Sequence, residues 1–214
     1  MSAEEYKGVK FRTGFDSKNE LKDADIEELA KWCEEFSRNN LTPEYENGSA
    51  GNLSYRCRAN TEHFIITSTG LRSKNLLSAV SNQLSANFVK VTSCDVEKMI
   101  VYAEGLKEPS SESIMHYTIY RHRKDINAIF HGHSEDIMNN YAKLNIPSTA
   151  KPAPYGSKKL IDTILELINR EEFSTNYELR TKNFFIIKEH GFVSLGRSMT
   201  EAGKQAFEIL KRCK

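Results

Sequence analysis

Apolar residues in this chain recur with two periods, and the change of period marks out its elements. Ile26, Leu29, Ala30, Cys33 and Phe36 fall three or four apart, on one face of a helix opened by Asp25 and Glu28. Ile161, Ile164, Leu165 and Ile168 repeat the pattern behind a capping Ser157, and Ala202, Ala206, Ile209 and Leu210 repeat it behind the capping pair Ser198 and Glu201. Short β-branched and aromatic runs predict strands at 53–56, 64–67, 88–91, 98–102, 126–130 and 184–187. Asn47-Gly48 and Gly51-Asn52 interrupt regular structure and predict a glycine-containing loop before the first of these. Strands and helices mix without strict alternation. That indicates an α/β fold with a largely antiparallel sheet covered by helices, in preference to a doubly wound parallel one.

The pattern accounts for residues 25–214 as a single domain, with no repeat, linker or low-complexity stretch. Residues 1–24 are charged and poor in apolar positions apart from Val9-Lys10-Phe11, and are expected to form an arm over the surface or a neighbouring subunit. At 214 residues the chain can bury one sizeable core. A formal net charge of +1 argues against nucleic acid as a partner. Cys33, Cys57, Cys94 and Cys213 are widely spaced, without a Cys-x-x-Cys, so neither a thiolate zinc site nor a disulfide framework is indicated. No apolar run approaches the ~18 residues of a membrane span, and no signal peptide precedes the charged start, so a cytoplasmic protein without a membrane partner is expected.

The candidate chemistry lies where strands end. His131-Gly132-His133 closes the run Ile126–Phe130, and residues two apart on a strand leave the same face. Taken alone, a strand ending in exposed histidines would look the same. A third histidine, His190, follows Phe184–Ile187 and reads as the end of a strand entering a glycine turn. Three neutral imidazoles can hold a borderline cation such as zinc at ~2.0–2.1 Å and leave a coordination position open. Glu112, in Pro109-Ser110-Ser111-Glu112, is the candidate fourth ligand and general base. It opens a predicted helix, 112–122, whose first turn offers unpaired N–H groups to an anion, with one of the two serines expected as its cap. His116 lies one turn further along and is expected to hydrogen-bond Glu112 or nearby backbone. His63 and His122 are expected to be exposed, and Trp32 to pack in the interior.

In order along the chain, Gly48-Ser49-Ala50-Gly51-Asn52-Leu53-Ser54, Ile66-Thr67-Ser68-Thr69-Gly70, Pro109-Ser110-Ser111-Glu112 with His116, His131-Gly132-His133 and His190-Gly191 resemble the motif set of the class II aldolase/adducin family. The nearest branch is that of the L-fuculose-1-phosphate aldolases, and the resemblance spans roughly residues 25–210. It implies an α/β/α sandwich assembled as a homo-oligomer, a tetramer. It also implies zinc or another divalent metal, one per chain, on His131, His133, His190 and Glu112. Asn52, Thr69, Gly70, Ser110 and Ser111 would bind the phosphate of a sugar-phosphate substrate, and Glu112 would move a proton. The implied reaction cleaves a carbon–carbon bond in a phosphorylated ketose, giving dihydroxyacetone phosphate and an aldehyde. The alternatives on the same scaffold are a pentulose-phosphate 4-epimerase, a methylthioribulose-1-phosphate dehydratase and a non-catalytic adducin-like assembly protein. Fuculose-phosphate aldolases carry a longer segment after the paired histidines, with a tyrosine that acts across a subunit interface. The corresponding stretch here, Ile146–Tyr155, is short, and no acid is assigned to Tyr155.

Overall fold

A computed structural model describes residues 10–78, 84–170 and 183–214. Its strands are β1 (Arg12–Ser17), β2 (Glu44–Tyr45), β3 (Gly48–Ser49), β4 (Asn52–Arg56), β5 (Phe64–Thr67), β6 (Phe88–Asp95), β7 (Ile100–Glu104), β8 (Ala128–Gly132), β9 (Phe184–Ile187) and β10 (Gly191–Gly196). The helices are α1 (Ile26–Arg38), α2 (Ser113–His122), α3 (Glu135–Asn140), α4 (Lys158–Ile168) and α5 (Met199–Cys213). Eight strands form one sheet in the order β1-β7-β6-β5-β4-β8-β10-β9, and β2 and β3 pair separately. Only β1 with β7 is parallel; every other neighbouring pair in the sheet is antiparallel.

Strand alternation splits the interior into two cores. Phe184 and Ile186 of β9 join Leu29, Phe36, Ile137 and Ile209 under α1, α3 and α5. Phe185 and Ile187 point the other way, onto Ile114, Ile119, Ile161 and Ile164 of α2 and α4. The result is the expected α/β/α sandwich. The Ser157 hydroxyl caps α4 by accepting from the Leu160 N–H at 3.2 Å, and that of Ser198 caps α5 by accepting from the Glu201 N–H at 3.1 Å. Asp25 makes no side-chain cap on α1, and its carboxylate pairs with Arg58 at 2.8 Å instead.

Three elements differ from the sequence expectation. Arg12–Ser17, inside the expected arm, is the sheet's parallel edge strand; residues 1–9 lie outside the described residues. Gly191–Gly196, between two glycines, is a fully buried strand at the centre of the β8-β10-β9 arrangement. The six-residue helix α3 directly follows His133, with the Ser134 hydroxyl at its N-cap. Trp32 packs between Phe130 and Phe207, with centroids 5.9 and 6.0 Å away.

Helix α2 is held by one strand. On β4, Leu53 and Tyr55 face α1, while Asn52, Ser54 and Arg56 face α2 and are buried there. Each of the three grips a different turn of α2. Asn52 bonds Glu112 at its start. Ser54 bonds His116 and Tyr120 in the middle. Arg56 donates to the Tyr120 and Arg123 carbonyls at the end, at 3.0 and 3.2 Å.

Candidate active site

The histidines converge because two strands deliver them to one place. His131, on β8, stands directly opposite Asn52 of β4 and Val193 of β10. His133 follows two residues on, just past the strand. His190 occupies the turn between β9 and β10 and immediately precedes β10, where sequence reasoning had it ending a strand. Glu189 beside it adopts φ 60°, in the left-handed region, which turns the chain tightly enough to bring His190 inward. Gly191 is required for the approach: a Cβ there would lie 2.5 Å from the Gly132 carbonyl oxygen and 2.9 Å from His131 Cε1. At Gly51 (φ 98°) a Cβ would lie 2.5 Å from the His131 carbonyl oxygen, so the loop before β4 can lie against β8 only with glycine.

One ligand atom from each of His131, His133 and His190 lies within 4.8 Å of the others. His131 Nδ1 donates to the Phe192 carbonyl at 2.8 Å, which leaves Nε2 facing the cluster. That Nε2 is 3.2 Å from His133 Nε2 and 3.0 Å from Glu112 Oε2. Glu112 Oε1 is 3.0 Å from His190 Nε2. Burial pushes the Glu112 carboxyl up, but the charges of His131 and His190, with their hydrogen bonds, outweigh it and hold Glu112 well below the usual carboxylate range. His133 is driven far below the ordinary imidazole value by burial and then by its two neighbouring histidines, and is therefore neutral.

This donor set fits a divalent cation. Tetrahedral ligands at ~2.0–2.1 Å stand roughly 3.3 Å apart, near the separations between these nitrogens and oxygens. A bound cation would take the Nε2 lone pair of a neutral His131 and the Glu112 carboxylate together. Glu112 also sits at the N-cap of α2, where the helix dipole favours negative charge.

A cavity of about 540 Å³ opens above the cluster, lined by Asn52, Thr69, Gly70, Ser110, Ser111, Glu112, His133 and His190. His131 is fully buried beneath it. The Thr69-Gly70 turn and the serine segment are tied together: the Thr69 N–H donates to the Glu108 carbonyl at 3.0 Å and the Ser110 N–H to the Thr67 carbonyl at 3.1 Å. Neither serine occupies the cap position expected of it. Glu112 does, while Ser110 accepts from the Ser113 N–H and hydroxyl through its carbonyl, at 3.0 and 2.7 Å. Asn52 Nδ2 donates to Glu112 Oε2 at 2.9 Å, so the amide expected at a phosphate is engaged by the carboxylate. Among the described residues, the charged groups lining the cavity are Glu112, Glu135 and Glu189, with no lysine or arginine. An anion bound there would rely on hydroxyl and N–H donors and on a bound cation.

The His116 backbone N–H donates to the Glu112 carbonyl at 3.2 Å, but its imidazole does not make the expected hydrogen bond to the Glu112 carboxylate or to backbone. Its Nδ1 meets the Ser54 hydroxyl at 2.7 Å, and its buried Nε2 has no partner. His122 is exposed and His63 half-buried. Tyr45 and Met138, which the sequence does not single out, and Tyr155, to which it assigns no role, also line the cavity. They are apolar or amphipathic residues far apart in the chain, with no local signal that they share a wall.

The model of the family described as "Class II Aldolase and Adducin N-terminal domain" matches residues 27–214. An L-fuculose phosphate aldolase of Methanococcus maripaludis is 28% identical over 163 residues, covering 74% of this chain and 78% of the relative. A second, from another strain of that species, is 26% identical over 195 residues, covering 83% and 88%. Among solved structures, an L-fuculose 1-phosphate aldolase superposes with a TM-score of 0.64 at 22% identity, covering 91% of this chain and 84% of that one. A sugar-phosphate aldolase from Thermotoga maritima superposes with a TM-score of 0.67 at 18% identity, covering 88% and 91%.

Proposed function

The chain belongs to the class II aldolase and adducin N-terminal domain family, and on that footing we propose that it is a divalent-metal-dependent aldolase acting on a phosphorylated ketose. The observation that carries this reading is the contact of Glu112 with His131 and His190, both at 3.0 Å, beside a cavity that also exposes Ser110, Ser111, Thr69 and Gly70. The relatives named as fuculose phosphate aldolases support the same substrate class. An assembly role alone would not call for a carboxylate and three histidines gathered in this way.

His131, His133, His190 and Glu112 would hold the cation, zinc by the chemistry of the donor set. When bound, it supplies Lewis acidity for negative charge developing on substrate oxygens. The chain's own residues do the rest. Ser110, Ser111, Thr69 and Gly70 would fix the phosphate, and Asn52, in the same lining, holds the Glu112 carboxylate. Glu112, ionised at neutral pH, would take the proton from the carbon that becomes the nucleophile. No lysine Schiff base is needed. By resemblance the assembly is a homotetramer. No helix among the described residues is long and apolar enough to cross a membrane, and a cytoplasmic location is proposed with the activity.

Metal analysis followed by a product-resolved screen of phosphorylated ketoses tests the reading. Dihydroxyacetone phosphate and an aldehyde as products support it. Epimerised or dehydrated pentulose phosphates would assign the chain to another chemistry on the same scaffold.

A further inference from the structure

Two unmet needs lie one helical turn apart on α2. The first is at Glu112. In this structure its carboxylate takes contacts from His131, His190 and Asn52. Once the histidines turn their Nε2 lone pairs to a cation, they can no longer donate to Glu112. If substrate then displaces the carboxylate, Asn52 is the one donor it keeps, and a buried carboxylate with a single donor is poorly stabilised.

The second is at His116, four residues on and on the same helix face as Glu112. The imidazole is fully buried. Its Nδ1 lies 2.7 Å from Ser54 Oγ, and that oxygen is 2.9 Å from the Tyr120 hydroxyl. The Tyr120 O–H can donate to Ser54; the Ser54 O–H faces Nδ1 at 2.7 Å and the Ile129 carbonyl at 3.5 Å, and the shorter contact gives its proton to Nδ1. The ring proton then sits on Nε2, which has no partner. The ring stays neutral, since burial pushes it down to about 3, with a further push from His131 against the opposing pull of Glu112. An orphaned N–H inside a protein calls for an acceptor.

We propose that His116 is a positioning residue whose Nε2–H receives the Glu112 carboxylate when it leaves the cation. Ser54 and Tyr120 hold the imidazole in the tautomer and orientation that make this possible. This rests on the reading of Glu112 as both ligand and proton carrier. His116 touches neither substrate nor cation and acts through Glu112. It would keep the displaced carboxylate ionised, oriented and near the reacting carbon.

Variants at His116 separate this role from simple packing. His116→Gln keeps an N–H donor at the reach of Nε2, whereas His116→Asn keeps only the reach of Nδ1 toward Ser54; His116→Leu is the second variant lacking the donor. Binding of a phosphorylated enediolate mimic, which would take the carboxylate's place, is measured by calorimetry on each zinc-loaded protein, with thermal melting to confirm folding. Without a partner for the displaced carboxylate, the Asn and Leu variants should bind the mimic about three- to tenfold more weakly than wild type, and Gln close to wild type. In a Glu112→Gln background the differences should vanish. In proton exchange of dihydroxyacetone phosphate, the Asn and Leu variants should lose kcat by roughly ten- to hundredfold with KM within about threefold. Unchanged or tighter binding of the mimic in the Asn and Leu variants, or Gln behaving like Asn, would overturn the proposal. If wild type shows no exchange but the mimic series behaves as stated, the aldolase reading fails and the role of His116 stands.

Discussion

Asn52 donates to the Glu112 carboxylate at 2.9 Å while standing directly opposite His131 across the β4–β8 pair. One carboxamide thus touches the proposed proton carrier and shares a sheet position with a proposed ligand. This separates Asn52 from the serines. Ser111→Ala should weaken a phosphorylated substrate mimic about ten- to hundredfold, the value of one charge-assisted hydrogen bond, and leave its unphosphorylated counterpart nearly unchanged. Asn52→Ala should weaken turnover of both kinds of substrate, because it disturbs Glu112. Calorimetry and kinetics on a matched ligand pair check both. Equal losses for the two ligands in Ser111→Ala would move the phosphate elsewhere.

Metal content should depend on backbone as much as on ligands. His131→Ala, His133→Ala and His190→Ala should each lose most of the ion, about one per chain, while remaining folded. Gly191→Ala should do nearly the same with every ligand intact, since its Cβ would meet the Gly132 carbonyl oxygen at 2.5 Å and His131 Cε1 at 2.9 Å. Elemental analysis after dialysis, with circular dichroism for the fold, gives the answer. Full occupancy in Gly191→Ala would show that the β9–β10 turn tolerates widening.

Acid should destabilise the metal-free protein in two stages. Burial drives His116 from its ordinary 6.5 to about 3, so the unfolded chain takes up a proton that the native one refuses. Its contribution is complete above about pH 6.5 and is lost as pH falls toward 3. The loss runs at up to about 1.4 kcal/mol per pH unit. His133, lowered by burial and by its histidine neighbours, acts in the same direction. Glu112, held below its ordinary 4.5, adds a second loss below that pH. Denaturant titrations from pH 8 to 4 should show the first stage, and His116→Gln should flatten it. An identical slope in that variant would remove His116 from the account.

Much of this architecture could be read from sequence because its core residues obey one period at a time. Phe64–Thr67 and Phe184–Ile187 are strands with the expected bounds, and α1, α4 and α5 follow their apolar stripes. The failures have physical causes. β10 begins at Gly191, and a glycine after a histidine signals a turn; here it is the small residue that three imidazoles require. β1 has few apolar positions because it is an edge strand, exposed or half-buried along its length. The candidate site was legible as residue types: His131, His133, His190 and Glu112 stand together in space. Their partners were not. The alternation Asn52-Leu53-Ser54-Tyr55-Arg56 has the form of a strand with one wet face, yet that face is buried under α2. Only the packing of helix on strand shows that its polar residues serve Glu112, His116 and the end of α2.

The central claim is that Glu112 carries a substrate proton beside a histidine-held cation. Proton exchange between dihydroxyacetone phosphate and deuterated water, followed by NMR, isolates that half-reaction and needs no knowledge of the aldehyde. Zinc-loaded wild type should exchange one carbon-bound hydrogen stereospecifically. Glu112→Gln, retaining zinc on the three histidines, should be slower by about 10²–10⁴-fold, the cost of losing a general base. Exchange at the wild-type rate in Glu112→Gln, or none in zinc-loaded wild type, would contradict the account.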